Sequence, residues 1–193
     1  MKKSPIQPAL DNASWLGSNL PIRFFGDPVL RTVCKPVTNK EIKNGSAKKW
    51  IDELTDFLKK YRTKTGAGRG LAANQIGISK RMILLWQSDG PSIYINPTVV
   101  RSTGEGVYPE SCISSAALFI GEVKRPWAIT VEYMTLDGEK KTLKADPIHT
   151  RLLLHELDHL DGIVCADRYT PGTIRMTTGD ADEILKPELV RIK

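Results

Sequence analysis

The sequence has few residues that could cross-link a fold, because it contains only three cysteines in 193 residues. Cys34, Cys112 and Cys165 are far apart and form no CxxC pair, which argues against a disulfide framework and favours a reducing compartment. Long apolar runs are also lacking, since the stretches 82–86 and 148–154 end well before the roughly 20 residues that cross a bilayer. Prolines and polar residues interrupt the basic N-terminus, so no signal segment is predicted. We therefore expect a cytoplasmic protein without a membrane segment.

The positive charge is not concentrated in one place, although the net charge is +6. Basic residues are scattered through 2–3, 40–49, 59–64 and 140–144, without interleaved aromatic residues. This distribution is unlike that of a specific nucleic-acid-binding surface. We expect a solvated basic surface, with at most a weak attraction to an anionic partner such as ribosomal RNA, and no specific DNA binding.

The length and the ordinary apolar fraction of 40% are enough for one hydrophobic core, and nothing demands a second. We predict a single catalytic domain over residues 1–193. Residues 1–20 are rich in Pro, Asn and Ser, and they are expected to form an extended or poorly ordered N-terminal arm. Residues 171–193 are expected to be a C-terminal tail with a short helix near 181–185.

Hydrophobic periodicity predicts helices and strands between these ends. A helix is predicted from Ser46, because the apolar residues that follow it fall on one helical stripe: Trp50, Leu54, Phe57, Leu58 and Tyr61. Asp27-Pro28 predicts a second, short helix. Strands are predicted at 81–86, 92–96, 97–103 and 128–135, the last followed by an Asp137-Gly138 hairpin turn into 141–144.

A further helix is bracketed by its capping residues. Asp146-Pro147 combines an N-cap with a first-turn proline, and Gly162 stands where a C-terminal glycine is expected. The helix over 147–161 would be surrounded by antiparallel strands, so the predicted fold class is α+β.

This helix carries the sequence HELDH, which matches the HExxH pattern. His155 and His159 are four residues apart and therefore lie on one helix face, where both imidazoles can bind one divalent cation. Glu156 next to them can take a proton from a water at the open coordination position. The pattern predicts a catalytic metal site.

Such a site normally has three protein ligands, so a third must come from elsewhere. No histidine follows His159, and the third ligand is therefore either the upstream Cys112 or a downstream carboxylate. The candidate carboxylates are Asp158 within the motif and, after it, Asp161, Asp167, Asp180, Asp182, Glu183 and Glu188.

Three segments, 68–75, 108–114 and 155–159, resemble in order the GxGLAAxQ, EGCLS and HExxH motifs of the peptide deformylase family. The first and third match at their defining positions, and 94–97 is similar to the strand that precedes the second motif in that family. The resemblance runs from about residue 22 to about residue 170. It implies antiparallel sheets around a central metal-binding helix.

The resemblance also implies a role for each matching residue. Cys112, His155 and His159 would be the metal ligands, and Glu156 would be the catalytic acid/base. Gln75 and the backbone N–H of Ile113 would hold the formyl oxygen. The implied substrate-binding residues are Gly70, Glu110 and Ser111. His149, Cys34 and Cys165 are expected to be structural.

The implied reaction is removal of the formyl group from the N-terminal formylmethionine of nascent polypeptides. The implied cofactor is one divalent metal ion, with Fe(II) as the physiological ion and Zn, Ni or Co as alternatives in isolated protein. The substrate would lie extended along a strand edge.

The sequence departs from the family pattern beside the expected peptide groove. Ser111 stands where the family has glycine, Ile113 where it has leucine, and the segment 115–119 lacks an expected proline. A serine would be strained if that position required positive φ. Two alternatives therefore stay open, a metallohydrolase with another formamide or peptide substrate and a non-catalytic metal-binding paralogue.

Overall fold

The computed structural model describes residues 4–185 and 189–192, and the predicted α+β class is confirmed. The helices within these ranges are α1 (Gln7–Asn19), α2 (Asn39–Lys43), α3 (Ser46–Thr65), α4 (Pro147–Leu160) and α5 (Ala181–Leu185). The strands are β1 (Gly70–Ala72), β2 (Met82–Gln87), β3 (Gly90–Thr103), β4 (Glu105–Ser111), β5 (Phe119–Arg125), β6 (Ala128–Met134), β7 (Lys140–Ala145), β8 (Arg175–Met176) and β9 (Val190–Ile192). In the part of the chain so described, no helix combines the length and apolar character that crossing a membrane requires.

The strands form two antiparallel sheets. The first has the order β1-β2-β3-β6-β7, and the second has the order β8-β5-β4-β9. The predicted Asp137-Gly138 turn connects β6 to β7, with Gly138 at φ +82°. Helix α4 packs against β1, β2, β6 and β7 of the first sheet, as expected for a central helix surrounded by strands.

Strand β2 is buried on both of its faces, which explains its continuous apolar run. Met82 and Leu84 belong to one hydrophobic cluster, together with residues of α1 and α3. Ile83 and Leu85 belong to a second cluster, together with residues of α4. Because side chains alternate along a strand, each face of β2 contributes to a different layer of the core.

The capping residues of α4 act as the sequence predicts. The Asp146 carboxylate accepts hydrogen bonds from the backbone N–H groups of Ile148 and His149, at 2.8 and 2.9 Å. After the helix, Gly162 adopts φ +77°, and a Cβ there would lie 2.8 Å from the carbonyl oxygen of Arg31. The helix is thereby fixed at both ends, and its buried face carries the HExxH residues.

The other predicted helices are also present. Helix α3 buries Leu54, Phe57, Leu58 and Tyr61 and ends at the left-handed Gly66. The Asp27-Pro28 helix is a 3₁₀ turn over Pro28–Arg31, and α5 spans the short helix predicted in the C-terminal tail.

The prediction of an extended arm over 1–20 is wrong for the residues that the structure describes. Helix α1 occupies most of this segment and buries Ala9 and Leu16, and Leu16 belongs to the core cluster formed with α3. Ala9, Ala13, Leu16 and Leu20 follow the i, i+4, i+7, i+11 spacing of an amphipathic helix, a period that the surrounding polar residues obscured. Residues 1–3 of the predicted arm lie outside the described residues.

We expect Leu16→Ala to lower the free energy of unfolding by about 2–5 kcal/mol, because it opens a cavity where the side chain is only 1% exposed. The matched control is Leu10→Ala in the same helix, where the side chain is 40% exposed and the expected change is about 0.5 kcal/mol or less. Urea unfolding of both variants measures the difference. Equal stabilities would contradict a docked α1.

The segments 92–96 and 97–103 form one strand, β3, rather than two. The strand is irregular between Ile95 and Thr98, where Asn96 adopts φ +50°. The Asn96 side chain bonds to both backbone polar groups of Val37, each at 2.8 Å. These two hydrogen bonds take the place of strand pairing at Asn96 and stabilise the irregularity in β3.

The second sheet was not predicted from the sequence. Strand β4 alternates inward and outward residues, but its inward positions are Gly106, Tyr108 and Glu110, which do not form an apolar pattern. The C-terminal tail completes this sheet, because β8 pairs with β5 and β9 pairs with β4. Glu188, one of the candidate carboxylate ligands, lies outside the described residues.

Candidate active site

The structure brings the three sequence motifs together at one buried place. His155, Glu156 and His159 project from α4 into the interior, and Cys112 follows directly after β4. The Cys112 Sγ atom lies 3.2 Å from His159 Nε2, and the two imidazole rings have their centres 5.3 Å apart. A thiol from one sheet thus meets the imidazoles of the helix that packs on the other.

His155 is oriented by a buried carboxylate. Its Nδ1–H donates to Glu110 Oε2 at 2.8 Å, which leaves Nε2 for a cation. Glu110 also accepts two hydrogen bonds from Arg125, at 2.6 and 2.9 Å, and Arg125 donates a third to Asp158 at 2.9 Å. Burial alone would raise the pKa of Glu110, but the Arg125 charge and these hydrogen bonds outweigh it and lower that pKa below its usual value.

The prediction that Glu110 binds substrate stays a prediction, and its side chain has partners within the protein. The residue is 0% exposed, and both carboxylate oxygens are engaged by Arg125 and His155. Its place is therefore behind the imidazole, where it fixes the ring. Asp158, one of the candidate carboxylate ligands, is likewise engaged, by Arg125 and Arg168.

Gln75 is held rigidly beside the cysteine. Its Oε1 accepts from the backbone N–H of Ala72 at 2.8 Å, and its Nε2 donates to Ser114 Oγ at 3.1 Å. The same Nε2 lies 3.5 Å from Cys112 Sγ. Gln75 therefore presents an N–H group to the place where the predicted ligands meet.

A cavity opens onto these residues from the surface. Its lining includes Gly70, Gln75, Ser111, Cys112, Ile113, His155 and Glu156, together with Tyr61, Ala67, Gly68, Arg69, Ala117, Arg151 and Leu152. All predicted catalytic residues and two of the three predicted substrate-binding residues thus face the same space.

Glu156 is buried, and one of its oxygens has no hydrogen-bond partner among the described residues. That oxygen, Oε2, is itself buried, and Glu156 belongs to the lining of the cavity. Burial raises the pKa of Glu156 to about 7, against the opposing charges of His155 and Arg151. A buried carboxylate with a free oxygen is placed to exchange a proton with a molecule in the cavity.

Gly70 leaves the room that Glu156 occupies. A Cβ at Gly70 would collide with Glu156 Oε1 and lie 3.0 Å from its Cδ. We expect Gly70→Ala to displace the carboxylate and to lower the rate of the hydrolysis that the sequence resemblance implies by about 10-fold or more, since small misplacements of reacting groups have large effects on rate. Metal content, measured by elemental analysis, should be unchanged.

The control for Gly70→Ala is Gly17→Ala in α1. A Cβ at Gly17 would meet only the side chain of Phe24, at 3.3 Å. This helical change should leave turnover at the wild-type value and stability equal or slightly higher. Wild-type turnover in Gly70→Ala would contradict the positioning of Glu156 by this glycine.

Ser111 causes no backbone strain. It pairs with Ile120 in the extended β4–β5 ladder, is not among the residues with positive φ, and its Oγ donates to the carbonyl of Phe119 at 2.8 Å. Strain occurs instead at Ala116 and Ala117, both at φ +53°, where the expected proline is absent. Thr177 holds this segment, since its Oγ1 donates to the Ala117 carbonyl at 2.6 Å.

Two residues near the site were not predicted. Cys165, expected to be a structural thiol, lies with Cys112 and His155 in a buried group whose ligand atoms are all within 4.8 Å of one another, and that group does not include His159. Arg151 lies one helical turn before His155, so the helix period could have indicated it. The sequence pattern does not indicate that Cys165 lies near the site, because it begins a 3₁₀ turn after α4 and only the path of the chain brings it there.

Cys34 and His149, for which structural roles are predicted, lie away from the cavity lining. Cys34 is buried in the second hydrophobic cluster, and burial raises its pKa to about 11. His149 projects away from the site and pairs with Asp146 at 2.6 Å.

Comparisons with known proteins agree with this geometry. The family model described as polypeptide deformylase matches residues 19–174. A peptide deformylase of Caldanaerobacter subterraneus subsp. tengcongensis is 40% identical over 149 residues, which are 76% of this chain and 87% of that protein.

Two solved structures share the fold. The Thermotoga maritima peptide deformylase superposes with a TM-score of 0.70 at 36% identity, covering 78% of this chain and 97% of that one. A Synechococcus elongatus peptide deformylase in complex with actinonin gives a TM-score of 0.69 at 30% identity, covering 80% of each chain. With its three motifs gathered at one cavity, the chain belongs to the polypeptide deformylase family.

Proposed function

We propose that this chain, acting as a single catalytic domain, removes the formyl group from the N-terminal formylmethionine of nascent polypeptides. The observation that carries the proposal is the convergence of Cys112, His155, Glu156 and Gln75 on one surface cavity, with His159 Nε2 at 3.2 Å from Cys112 Sγ. The chain is a hydrolase of the deformylase family, and its site has the donors, the carboxylate and the opening that this reaction needs.

The donor set suits a divalent transition metal. One thiol sulfur and two imidazole nitrogens are borderline-soft ligands, and they leave a fourth position for water or substrate. We propose Cys112, His155 and His159 as the ligands and Fe(II) as the physiological ion, with Zn, Ni or Co as replacements. When bound, the ion would supply Lewis acidity that makes water nucleophilic at neutral pH.

Glu156 would move the protons of the reaction. Its unpartnered Oε2 would accept a proton from the attacking water and return it to the nitrogen of the departing amine. The C–N bond of the formamide breaks, and the products are formate and a free N-terminal amine. Gly70 supports this role by leaving space for the carboxylate.

Gln75 and the backbone N–H of Ile113 would stabilise the negative charge that develops on the formyl oxygen. Gln75 is held by Ala72 and Ser114, so its donor needs little reorganisation. The backbone at Gly70 and Ser111 would pair with an extended peptide, as strand edges do.

We also propose a cytoplasmic location, because nascent formylated chains are made there. The net charge of +6 supports a weak association with ribosomal RNA, which would fall steeply with added salt. Co-sedimentation with ribosomes at low and high salt would measure this association.

The test of the proposed function is release of formate from formyl-Met-Ala-Ser by anaerobically purified, Fe(II)-loaded protein. Cys112→Ala should lose both metal and turnover, whereas the matched control Cys34→Ala should keep both. Protection of the wild-type protein against thermal unfolding by actinonin, the ligand of the Synechococcus relative, gives a second readout. Metal-replete protein without turnover would contradict the proposal and favour another formamide substrate or a non-catalytic paralogue.

A further inference from the structure

Cys165 places a second thiol beside the cysteine of the active site. The ligand atoms of Cys112, Cys165 and His155 all lie within 4.8 Å of one another. Both cysteines are 2% exposed, and neither is in a disulfide. A disulfide has an S–S length of about 2.05 Å, so forming one would bring together two sulfurs that already lie within 4.8 Å of each other.

The position of Cys165 is fixed by the surrounding structure. Its Sγ lies 3.2 Å from the Tyr169 hydroxyl, which donates to the Glu110 carbonyl at 3.0 Å. The Tyr169 ring packs on Gly121, where a Cβ would lie 2.7 Å from the ring. Tyr169 thus connects Cys165 to β4 and β5, and the thiol is held close to the end of β4 that carries Cys112.

The two thiols differ in access. Cys112 lines the cavity, whereas Cys165 does not and lies behind it. A small oxidant that enters the cavity therefore meets Cys112 first, and Cys165 is placed to react with the oxidised sulfur. This arrangement of one accessible and one adjacent thiol is what reversible thiol oxidation requires.

We propose that Cys112 and Cys165 form a reversible disulfide when hydrogen peroxide enters the site, and that this bond protects Cys112 from irreversible oxidation. The Cys112 sulfur attacks a peroxide oxygen, the O–O bond breaks, and a sulfenic acid and one water result. The Cys165 sulfur then attacks Cys112 Sγ, the S–O bond breaks, and the oxygen leaves as a second water with the thiol proton. Two electrons from the two thiols reduce one peroxide to two waters.

The proposal rests on the proposed function in one respect, which is that a metal on Cys112 should slow its oxidation. The disulfide itself does not depend on that assignment. The experiment therefore compares protein loaded with Zn with protein treated with a chelator.

The two cysteines can be distinguished by mass spectrometry, because trypsin releases them in separate peptides, 102–124 and 152–168. Chelated protein is treated with hydrogen peroxide, alkylated in denaturant and digested. We expect a linked 102–124/152–168 peptide, loss of two of the three free thiols, and recovery of both with dithiothreitol. In Cys165→Ser the peptide 102–124 should instead gain two oxygen atoms, as sulfinic acid, and dithiothreitol should not restore it.

Cys34→Ser is the matched control and should give the same linked peptide as the wild type. Absence of the link in chelated wild-type protein, or as much sulfinic acid there as in Cys165→Ser, would overturn the proposal. Because the link is measured in the wild-type chain, the test does not depend on the folding of a variant. Equal linking with and without Zn would contradict Cys112 as a metal ligand, while the disulfide would stand.

Discussion

Glu156→Gln should retain the bound metal and lower formate release by about 10²–10⁴-fold, the range that a positioned acid/base contributes. The amide has nearly the size of the carboxylate, so the packing against Gly70 should be preserved. It cannot accept the proton of a water at the oxygen that has no protein partner. The loss should appear in kcat more than in KM, because the group acts on the reacting atoms rather than on substrate affinity.

Steady-state kinetics with formyl-Met-Ala-Ser and elemental analysis of the same preparations measure this effect. Glu132→Gln, on the exposed face of β6, is the control and should keep wild-type turnover. Turnover near the wild-type rate in metal-loaded Glu156→Gln would contradict the role of this residue as acid/base. Loss of metal in the variant would show that Glu156 contributes to metal retention instead.

Arg125→Met should lower the free energy of unfolding by about 3–5 kcal/mol, the effect of leaving buried charges without their partner. Arg125 is 8% exposed and donates three hydrogen bonds, two to Glu110 and one to Asp158. Methionine fills similar apolar volume but neutralises neither carboxylate. Because Glu110 orients His155, metal affinity should also fall, by about 10–100-fold.

Lys124→Met makes the same kind of substitution one residue earlier in β5, where the side chain is exposed and pairs with Glu105 on the surface. Its expected effect is about 0–1 kcal/mol, with unchanged metal affinity. Urea unfolding and competition for metal with a chromogenic chelator measure the two quantities. Similar values for the two variants would show that the buried network does not hold the site.

Local patterns in the sequence predicted much of the fold. The caps of α4, the stripe of α3 and the apolar run of β2 are each determined by neighbouring residues, and the structure confirms them. The second sheet was missed because its inward positions include Gly106 and Glu110, whose burial depends on Trp127 and Arg125 from elsewhere in the chain. A periodicity argument does not detect partners that are distant in sequence.

In the candidate site too, local patterns predicted some residues, whereas contacts between distant segments were missed. The HExxH spacing on a capped helix indicated His155, Glu156 and His159, and the resemblance to a family added Cys112 and Gln75. Neither could show that Glu110 turns inward to Arg125, because a carboxylate beside a motif is equally compatible with substrate contact. The sequence predicts only a structural thiol at Cys165, because the path of the chain after α4 alone brings it close to Cys112.

The helix that replaces the expected N-terminal arm has a consequence for the order of folding. A Cβ at Gly179 would lie 2.6 Å from the backbone nitrogen of Ala9, so α1 is covered by a segment near the other end of the chain. Contacts between such distant segments form late, since a long loop must close first. While the chain is still being synthesised, α1 can pack on α3 but not against its final neighbour. The contact between α1 and its final neighbour therefore cannot form until Gly179 has been synthesised. A chain truncated before Gly179 would leave part of α1 uncovered.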